Sequence, residues 1–259
     1  MQNNNPIGLF DSGIGGVTIW KSIHQLMPNE NTIYLADSIN APYGQKSEDE
    51  ITALCFKNVN FLLKLKVKII VVACNTATTN SIAAMRKNFD IPFIGIEPAI
   101  KPAATNSKTQ TIGILATKGT LNSALFSKSL AAYKHIKIIE QIGHGLVQLI
   151  ENGDADSPEM KELLQTYLQP MIDQNIDYLV LGCSHYPFLI SQIRAILAAH
   201  VVIIDSGEAV AKQTHKVLQS LNSLNNSGLQ SSKTFYTNTN PLILKSVLND
   251  DCLVYQEAF

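Results

Sequence analysis

The fold is decided by residues 69–76, which read Ile69-Ile70-Val71-Val72-Ala73-Cys74-Asn75-Thr76. An apolar, β-branched run stops at a cysteine, and small polar residues follow. Residues 178–185 repeat this arrangement as Tyr178-Leu179-Val180-Leu181-Gly182-Cys183-Ser184-His185. Short, wholly apolar runs are typical of parallel strands covered by helices on both faces, and ligands bind at the carboxyl ends of such strands. Both cysteines are therefore predicted to lie at ligand-binding ends of strands.

Similar runs recur along the whole chain and alternate with helical patterns. We expect strands at residues 7–10, 32–36, 69–73, 93–96, 111–115, 136–141, 178–182 and 201–204. Helix starts are indicated by a capping box at Ser47 and Glu50 and by the pair Ser157-Pro158. Residues 220–232, rich in Ser, Asn and Gln, are predicted to form a surface loop. The alternation predicts an α/β fold of doubly wound, mostly parallel sheets.

Two internal similarities indicate that the chain contains two similar lobes. The cysteine stretches resemble each other, and Asp11-Ser12-Gly13 is echoed by Asp205-Ser206-Gly207. Strings of this kind also cap helices after strands, so the second copy alone is weak evidence for duplication. Together with the cysteines it favours duplication. We expect residues 1–97 plus 207–259 to form the first lobe and residues 98–206 the second, with the site in the cleft between them.

Composition excludes several classes of protein. The chain has 259 residues, 46% of them hydrophobic, and a formal net charge of -1, so it can bury a large core and has no basic run for nucleic acid or anionic membrane. The amino terminus lacks a secretory signal, and no apolar stretch approaches the ~18 residues of a membrane span. We expect a cytoplasmic protein whose four cysteines are reduced thiols.

Two thiols at matching strand ends fit one kind of chemistry. Inverting a carbon next to a carboxylate requires a base on one face and an acid on the other, and a thiolate and a thiol can share that work. A single cysteine at a strand end is more often a small buried residue. Here the polar neighbours Asn75, Thr76, Ser184 and His185 favour chemistry.

The sequence predicts neither a metal site nor a cofactor site. The pair Cys183 and His185 has no second ligand cluster at a plausible spacing. The cluster Gly13-Ile14-Gly15-Gly16 does not have the spacing of a dinucleotide-binding loop, and no lysine motif for pyridoxal phosphate is visible. We therefore expect catalysis by side chains alone.

Four stretches in order resemble the motifs of the bacterial glutamate racemase family. They are Phe10-Asp11-Ser12-Gly13-Ile14-Gly15-Gly16, Ala41-Pro42-Tyr43-Gly44, Ala73-Cys74-Asn75-Thr76-Ala77-Thr78 and Gly182-Cys183-Ser184-His185-Tyr186-Pro187. The resemblance covers essentially the whole chain. It implies a cofactor-independent enzyme that interconverts L- and D-glutamate and supplies D-glutamate for peptidoglycan, and it implies a homodimer.

The resemblance also implies roles for individual residues. Cys74 matches the cysteine that deprotonates D-glutamate, and Cys183 matches the one that deprotonates L-glutamate. Asp11 and His185 match residues that assist the two thiols respectively, and Glu151 matches a further carboxylate of the site. Asp11 also suits a helix N-cap, and Glu151 a solvated helix end.

Substrate contacts are implied at a further set of positions. These are Asp11, Ser12, Tyr43, Gly44, Asn75, Thr76, Thr117, Ser184 and His185. Thr117 equally suits a helix cap. The family usually has threonine at position 184, so the serine here retains the hydroxyl and loses a methyl contact.

Four alternatives remain open at this stage. Aspartate racemase resembles the chain at the cysteines but typically has Glu in place of His185 and lacks the Asp-Ser-Gly opening; related isomerases of dicarboxylates use cysteines too. A catalytically silent amino-acid-binding module would not need two thiols. A thiol redox protein usually has a CxxC pair, which is absent from this sequence.

Overall fold

The computed structural model describes residues 4–248 and 252–259 and consists of two parallel sheets with helices around them. The first sheet has the strand order β10-β9-β2-β1-β3-β4, and the second has the order β6-β5-β7-β8. Every strand pair is parallel. The strands are β1 (Ile7–Asp11), β2 (Thr32–Ala36), β3 (Ile69–Val72), β4 (Phe93–Gly95), β5 (Thr111–Ala116), β6 (Lys137–Ile142), β7 (Tyr178–Gly182), β8 (Val202–Ile204), β9 (Lys233–Thr237) and β10 (Leu253–Gln256).

Eleven α-helices connect these strands in the part of the chain that the structure describes. They are α1 (Val17–Leu26), α2 (Glu48–Lys64), α3 (Asn75–Asn88), α4 (Ile100–Asn106), α5 (Lys118–Leu121), α6 (Ala124–Leu130), α7 (Leu146–Glu151), α8 (Pro158–Asp173), α9 (Ile190–Ile196), α10 (Gly207–Ser220) and α11 (Pro241–Ser246). Short 3₁₀ helices include Tyr43–Gln45 and Tyr186–Leu189. The predicted two-lobe α/β fold is confirmed.

The predicted strands are all present, with ends that shift by one residue or less. β3 ends at Val72, so Ala73 belongs to the loop that leads to the cysteine. The sequence analysis missed β9 and β10, which form one edge of the first sheet. β9 reads KTFYT and β10 reads LVYQ, and only two of their nine residues are buried. β10 is the edge strand, and β9 lies between it and β2. Both are only partly covered, so β9 mixes polar with apolar residues and the apolar run of β10 is limited to Leu253, Val254 and Tyr255.

The helix starts follow the predicted capping chemistry. The Ser47 Oγ accepts the Glu50 N–H at 3.3 Å while the Glu50 carboxylate accepts the Ser47 N–H at 2.9 Å, which completes the capping box of α2. Ser157 caps α8, and Pro158 is its first residue. The segment between α10 and β9 is the predicted loop. No helix in the described ranges is long and apolar enough to cross a membrane.

The sheets share an internal order that bears on the predicted duplication. Within each, the first four strands lie in the order second, first, third, fourth, so β3 and β7 are equivalent. Cys74 and Cys183 follow these equivalent strands. The Asp-Ser-Gly strings are not equivalent, since Asp11 ends the first strand of its sheet and Asp205 follows the fourth of the other. The prediction that these two strings are copies of each other was therefore wrong. In both loops the Asp carboxylate accepts the N–H two residues later, and this local hydrogen bond favours the same string at places that are not equivalent.

Candidate active site

Cys74 lies at the junction between β3 and α3 as the N-cap residue of that helix. Its Sγ accepts the N–H of Ala77 at 3.4 Å and lies 3.7 Å from the Ser12 hydroxyl. The side chain is buried, with 4% of the residue exposed. Burial raises the pKa of the Cys74 thiol well above its ordinary value, and the nearby Asp11 raises it further, although the Ala77 N–H opposes this. These surroundings favour the neutral thiol of Cys74, contrary to the lowered pKa that a helix start alone favours.

Cys183 occupies the matching position after β7 but has different surroundings. It precedes a 3₁₀ helix of four residues rather than a regular α-helix. Its Sγ lies 3.8 Å from Nδ1 of His185, and 6% of the residue is exposed. Burial lowers the pKa of the His185 imidazole, but contacts with Cys183, Glu151 and Asp11 outweigh it and raise that pKa well above the ordinary value. Cys183 thus has as its neighbour an imidazole whose surroundings favour the protonated form.

Asp11 ends β1, and its carboxylate lies between the two lobes. Oδ2 accepts N–H groups of the β1–α1 loop at Gly13 (3.3 Å) and Gly16 (2.9 Å), while Oδ1 accepts the Ser184 hydroxyl at 3.1 Å. The N-cap residue of α1 is Gly16, so Asp11 is not the helix N-cap that its sequence also allowed. Burial raises the pKa of the Asp11 carboxyl above its ordinary value. The structure brings Asp11 to both sides of the site, through Ser184 and by its electrostatic interaction with Cys74.

Glu151 ends α7 and joins the two lobes. Its Oε1 lies 2.5 Å from Nε2 of His185 and accepts the N–H of Ile14 at 2.7 Å, and its Oε2 accepts the Ser38 hydroxyl at 2.9 Å. The structure therefore does not place Glu151 at a solvated helix end, since only 12% of its side chain is exposed. A Cβ on Gly13 would overlap its carboxylate. We call the contacts of Glu151 with Ile14, Ser38 and His185 the Glu151 latch.

Three threonine hydroxyls form hydrogen bonds between the two lobes, close to Cys74. Thr76 Oγ1 lies 2.8 Å from Thr117 Oγ1 and 3.4 Å from Thr120 Oγ1. Thr117 is also the N-cap residue of α5, which is the helix cap that its sequence allowed. A Cβ on Gly44 would lie 2.7 Å from Cβ of Thr117, which places the predicted Gly44 loop against the second lobe.

Asn75 is the buried polar residue that most clearly indicates a ligand. Its amide group is 2% exposed, and neither its Nδ2 nor its Oδ1 has a hydrogen-bond partner. An unsatisfied buried polar group costs about 1–3 kcal/mol, so such groups are usually paired unless something binds them. Asn75 directly follows Cys74, and its free donor and acceptor suit a carboxylate and an ammonium.

The predicted contact residue Tyr43 uses its hydroxyl within the first lobe. It donates to the buried Asp37 carboxylate at 2.5 Å and accepts from the Asn58 amide at 3.1 Å. Burial, with Asp37 adding to it, raises the Tyr43 pKa well above its ordinary value. The structure therefore brings Gly44 to the face between the lobes, with Tyr43 anchoring the loop behind it.

Sequence reasoning missed Asp37, Ser38 and Thr120. Asp37 follows β2 at the same sheet edge as Asp11 and Cys74, so the strand-end rule applied to the cysteines would have found it. Ser38 and Thr120 had no such signal, because their contacts come from the opposite lobe. Among residues 4–248 and 252–259, no group of three His, Cys, Asp or Glu side chains is arranged to hold a metal ion.

The fold and the paired thiols define a class of α/β isomerase, and comparison with known proteins agrees. The sequence profile of the Asp/Glu/Hydantoin racemase family matches residues 7–214, and the chain belongs to this family. A glutamate racemase from Herpetosiphon aurantiacus is 40% identical over 241 residues, 93% of this chain and 95% of that protein.

Solved structures show the same similarity. Glutamate racemase isoform RacE1 from Bacillus anthracis has a TM-score of 0.89 at 31% identity and covers 99% of this chain and 98% of its own. Escherichia coli glutamate racemase, in complex with L-glutamate and the activator UDP-MurNAc-Ala, has a TM-score of 0.87 at 30% identity, with 98% of both chains covered.

Proposed function

We propose that this protein is a glutamate racemase that interconverts L- and D-glutamate without a cofactor and supplies D-glutamate for peptidoglycan precursors. The observation that carries the proposal is the pair Cys74 and Cys183, buried at equivalent strand ends of the two sheets. The relatives and solved structures described above are glutamate racemases, which supports glutamate as the substrate.

The proposal includes the division into lobes. Residues 1–97 plus 207–259 form the first lobe and residues 98–206 the second; residues 1–3 and 249–251 lie outside the described ranges. Two contacts support these boundaries. The helix α10 packs against α1 of the first lobe. The Ser206 hydroxyl donates to the carbonyl of Glu97 at 2.5 Å, where the chain passes from the first lobe to the second and later returns.

In the proposed mechanism one thiol acts on each face of the α-carbon. For L-glutamate, the Cys183 thiolate takes the α-proton, and the S–H bond forms as the C–H bond breaks. The electron pair left on carbon is delocalised into the adjacent carboxylate. Cys74 then gives its proton to the opposite face, which produces D-glutamate and leaves the thiolate on Cys74. The reverse reaction exchanges the two functions, and no other reactant is consumed.

The surroundings of the two thiols suit this division of work. Burial raises the pKa of the Cys74 thiol, which favours the neutral form that a proton donor needs. Contacts with Cys183, Glu151 and Asp11 raise the His185 pKa against the effect of burial, which favours a charged imidazole beside Cys183. An imidazolium 3.8 Å from sulfur stabilises negative charge there by Coulomb attraction.

Neutral groups are proposed to bind the two carboxylates and the ammonium. Asn75 offers both a free donor and a free acceptor. The hydroxyls of Ser12, Thr76, Thr117 and Ser184 add further donors around the thiols. Gly44 contributes its backbone, and the Tyr43 ring holds that loop in place. Hydrogen bonds from preorganised neutral donors stabilise the charge that develops on the substrate in a water-excluded site.

The remaining side chains are assigned supporting functions. His185 exchanges protons with Cys183, and Asp11 sets the charge near Cys74 while it orients Ser184. Glu151 acts through His185, whose imidazolium it stabilises. By resemblance to the family, we also propose a homodimer that works in the cytoplasm; size-exclusion chromatography with light scattering tests the dimer.

The experiment follows L-glutamate in D₂O with the purified protein by polarimetry and mass spectrometry. We expect optical rotation to fall to zero as one deuterium enters the α-carbon, and L-aspartate to react at least about tenfold more slowly. Cys74→Ala and Cys183→Ala should abolish racemisation. Cys55→Ala is the matched control, since this thiol is also buried but lies outside the site and burial raises its pKa to about 12. Full activity in either site variant would overturn the two-base mechanism, and faster turnover of L-aspartate would overturn the substrate.

A further inference from the structure

Both thiols are almost fully buried, and on the Cys74 side the two lobes meet in a seam. The seam is formed by Gly44 of the first lobe and Gly119 of the second. A Cβ on Gly119 would lie 3.2 Å from Cα of Gly44 and 2.8 Å from Cγ2 of Thr76, so the two backbones are in direct contact. Behind the seam, Thr117 and Thr76 share a hydrogen bond two residues from Cys74. A substrate that reaches Cys74 from this side must pass between the two glycines.

Outside the seam lies a cavity of about 530 Å³ that carries positive charge. Gly44 and Gly119 form part of its wall, together with Lys46, Lys118 and His144. None of its lining residues in the described ranges is acidic. Lys46 also interacts with Glu50, which partly offsets its charge. Lys118 is exposed and forms no ion pair within the residues that the structure describes, so no carboxylate there offsets its charge.

A second cavity next to the site has the opposite character. It has a volume of about 210 Å³ and is lined by Ile14, Ser38, Glu151 and Thr237, among others. It carries the Glu151 carboxylate and, in the described part of the chain, no lysine or arginine. The Glu151 latch separates it from His185. A dicarboxylate amino acid has a net charge of about -1 at neutral pH, so it is attracted to the first cavity, whereas the second offers it no lysine or arginine.

We propose that the cavity lined by Lys46 and Lys118 is the antechamber through which a dicarboxylate substrate reaches the thiols, and that these two lysines attract and hold it there. The proposal rests on the proposed function for the identity of the substrate. Because the lysines lie outside the reacting atoms, their field stabilises the bound ground state and the transition state alike. Such uniform binding changes KM and leaves kcat unaltered.

The test measures KM and kcat for L-glutamate in Lys118→Gln and Lys46→Gln. At about 10 mM ionic strength, where the screening length is about 30 Å, we expect KM to rise about threefold for Lys118→Gln and less for Lys46→Gln, with kcat unchanged. At about 1 M salt, where the screening length is about 3 Å, the differences should disappear. Lys118→Arg should retain the original KM. Lys161→Gln, an exposed lysine on α8, is the matched control and should change nothing.

Calorimetric titration with L-glutamate makes the test independent of turnover. If the protein binds L-glutamate but does not racemise it, the proposed function fails. The affinities of the lysine variants for L-glutamate still test whether the cavity is the antechamber. An affinity and KM in Lys118→Gln equal to those of Lys161→Gln at low salt would overturn the antechamber. A loss of affinity for L-glutamate that persists at high salt and in Lys118→Arg would also overturn it, since that pattern indicates a structural effect.

Discussion

The Cys74 side and the Cys183 side occupy equivalent places in the two sheets, yet their surroundings differ. Cys74 caps a helix of fourteen residues and accepts a backbone N–H, with a serine hydroxyl nearby. Cys183 precedes a short 3₁₀ helix and has an imidazole as its partner. The repeated strand order therefore gives the two thiols equivalent positions, whereas their neighbours differ. The comparison shows that equivalent strand ends can carry different electrostatic surroundings.

The largest expected effect separates the two sides outright. In Cys183→Ala we expect racemisation to fall about 10³-fold or more, because one face has lost its acid–base group. Cys74 should still exchange the α-hydrogen of D-glutamate with retention, whereas Cys74→Ala should exchange only that of L-glutamate. Proton NMR in D₂O measures the exchange for each enantiomer. Equal exchange of both enantiomers by one variant would contradict the assignment of one thiol to each face.

A second change should impair the Cys183 side alone. His185→Asn removes the imidazolium, so we expect kcat/KM to fall about 10- to 100-fold. The fall must be equal in both directions, since L- and D-glutamate have the same free energy. The isotope effect of α-deuterated substrate should rise for L-glutamate and decrease for D-glutamate, because Cys183 removes the proton only from the former. Parallel changes for both enantiomers would show that His185 serves both thiols.

A third change tests whether the position of the imidazole matters. A Cβ on Gly15 would overlap the His185 ring at Nδ1, so Gly15→Ala should displace it from Cys183. We expect a loss of kcat/KM of about tenfold with the same one-sided isotope pattern as His185→Asn. The control is the variant that carries both Gly15→Ala and His185→Asn, measured by its steady-state rates. If both changes act through the imidazole, their effects on kcat/KM are not additive. A double variant much slower than His185→Asn would mean that Gly15 acts elsewhere.

A fourth change concerns the Glu151 latch and its dependence on pH. A histidine whose pKa is raised on folding stabilises the fold fully below about pH 6.5, and this contribution is lost as the pH rises through the raised pKa. Glu151→Gln removes one of the contacts that raise the His185 pKa. We therefore expect the free energy of unfolding of this variant to be about 1–2 kcal/mol lower than that of the unchanged protein at about pH 6, with the difference shrinking at higher pH.

Urea unfolding across the pH range measures this difference. Ser38→Ala is the control, because it removes the bond to the other Glu151 oxygen without altering the His185 contact. Its loss should be smaller and nearly independent of pH. A pH-independent loss in Glu151→Gln as well would indicate that the latch does not act through His185.

The smallest expected effect is that of restoring the residue usual in the family. Ser184→Thr keeps the hydroxyl that Asp11 accepts and adds one methyl group in a buried position. We expect kcat and KM to remain within about threefold, since the hydrogen bond to a charged partner dominates over one methyl contact. A change of tenfold or more in steady-state rates would show that the site is shaped around the serine.

Local patterns predicted most of the fold and the positions of the thiols. Buried parallel strands require continuous apolar runs, so β3 and β7 and the cysteines after them were visible in sequence. The partly exposed strands β9 and β10 were not, because β9 mixes polar with apolar residues and the only apolar residues of β10 are Leu253, Val254 and Tyr255. The capping box of α2 was predictable because its hydrogen bonds lie within one turn.

What the sequence by itself determined is the residue types and their distances along the chain: two cysteines at strand ends, with polar neighbours beside each. Only the tertiary structure decided the electrostatics, since the contacts of Glu151 with Ile14 and Ser38, the Asp11–Ser184 bond and the Thr76–Thr117 bond all cross from one lobe to the other. The pKa of a buried group depends on desolvation and on charges within a few ångströms. The partners that cross between the lobes lie more than forty positions apart in the chain, and no local pattern reports them.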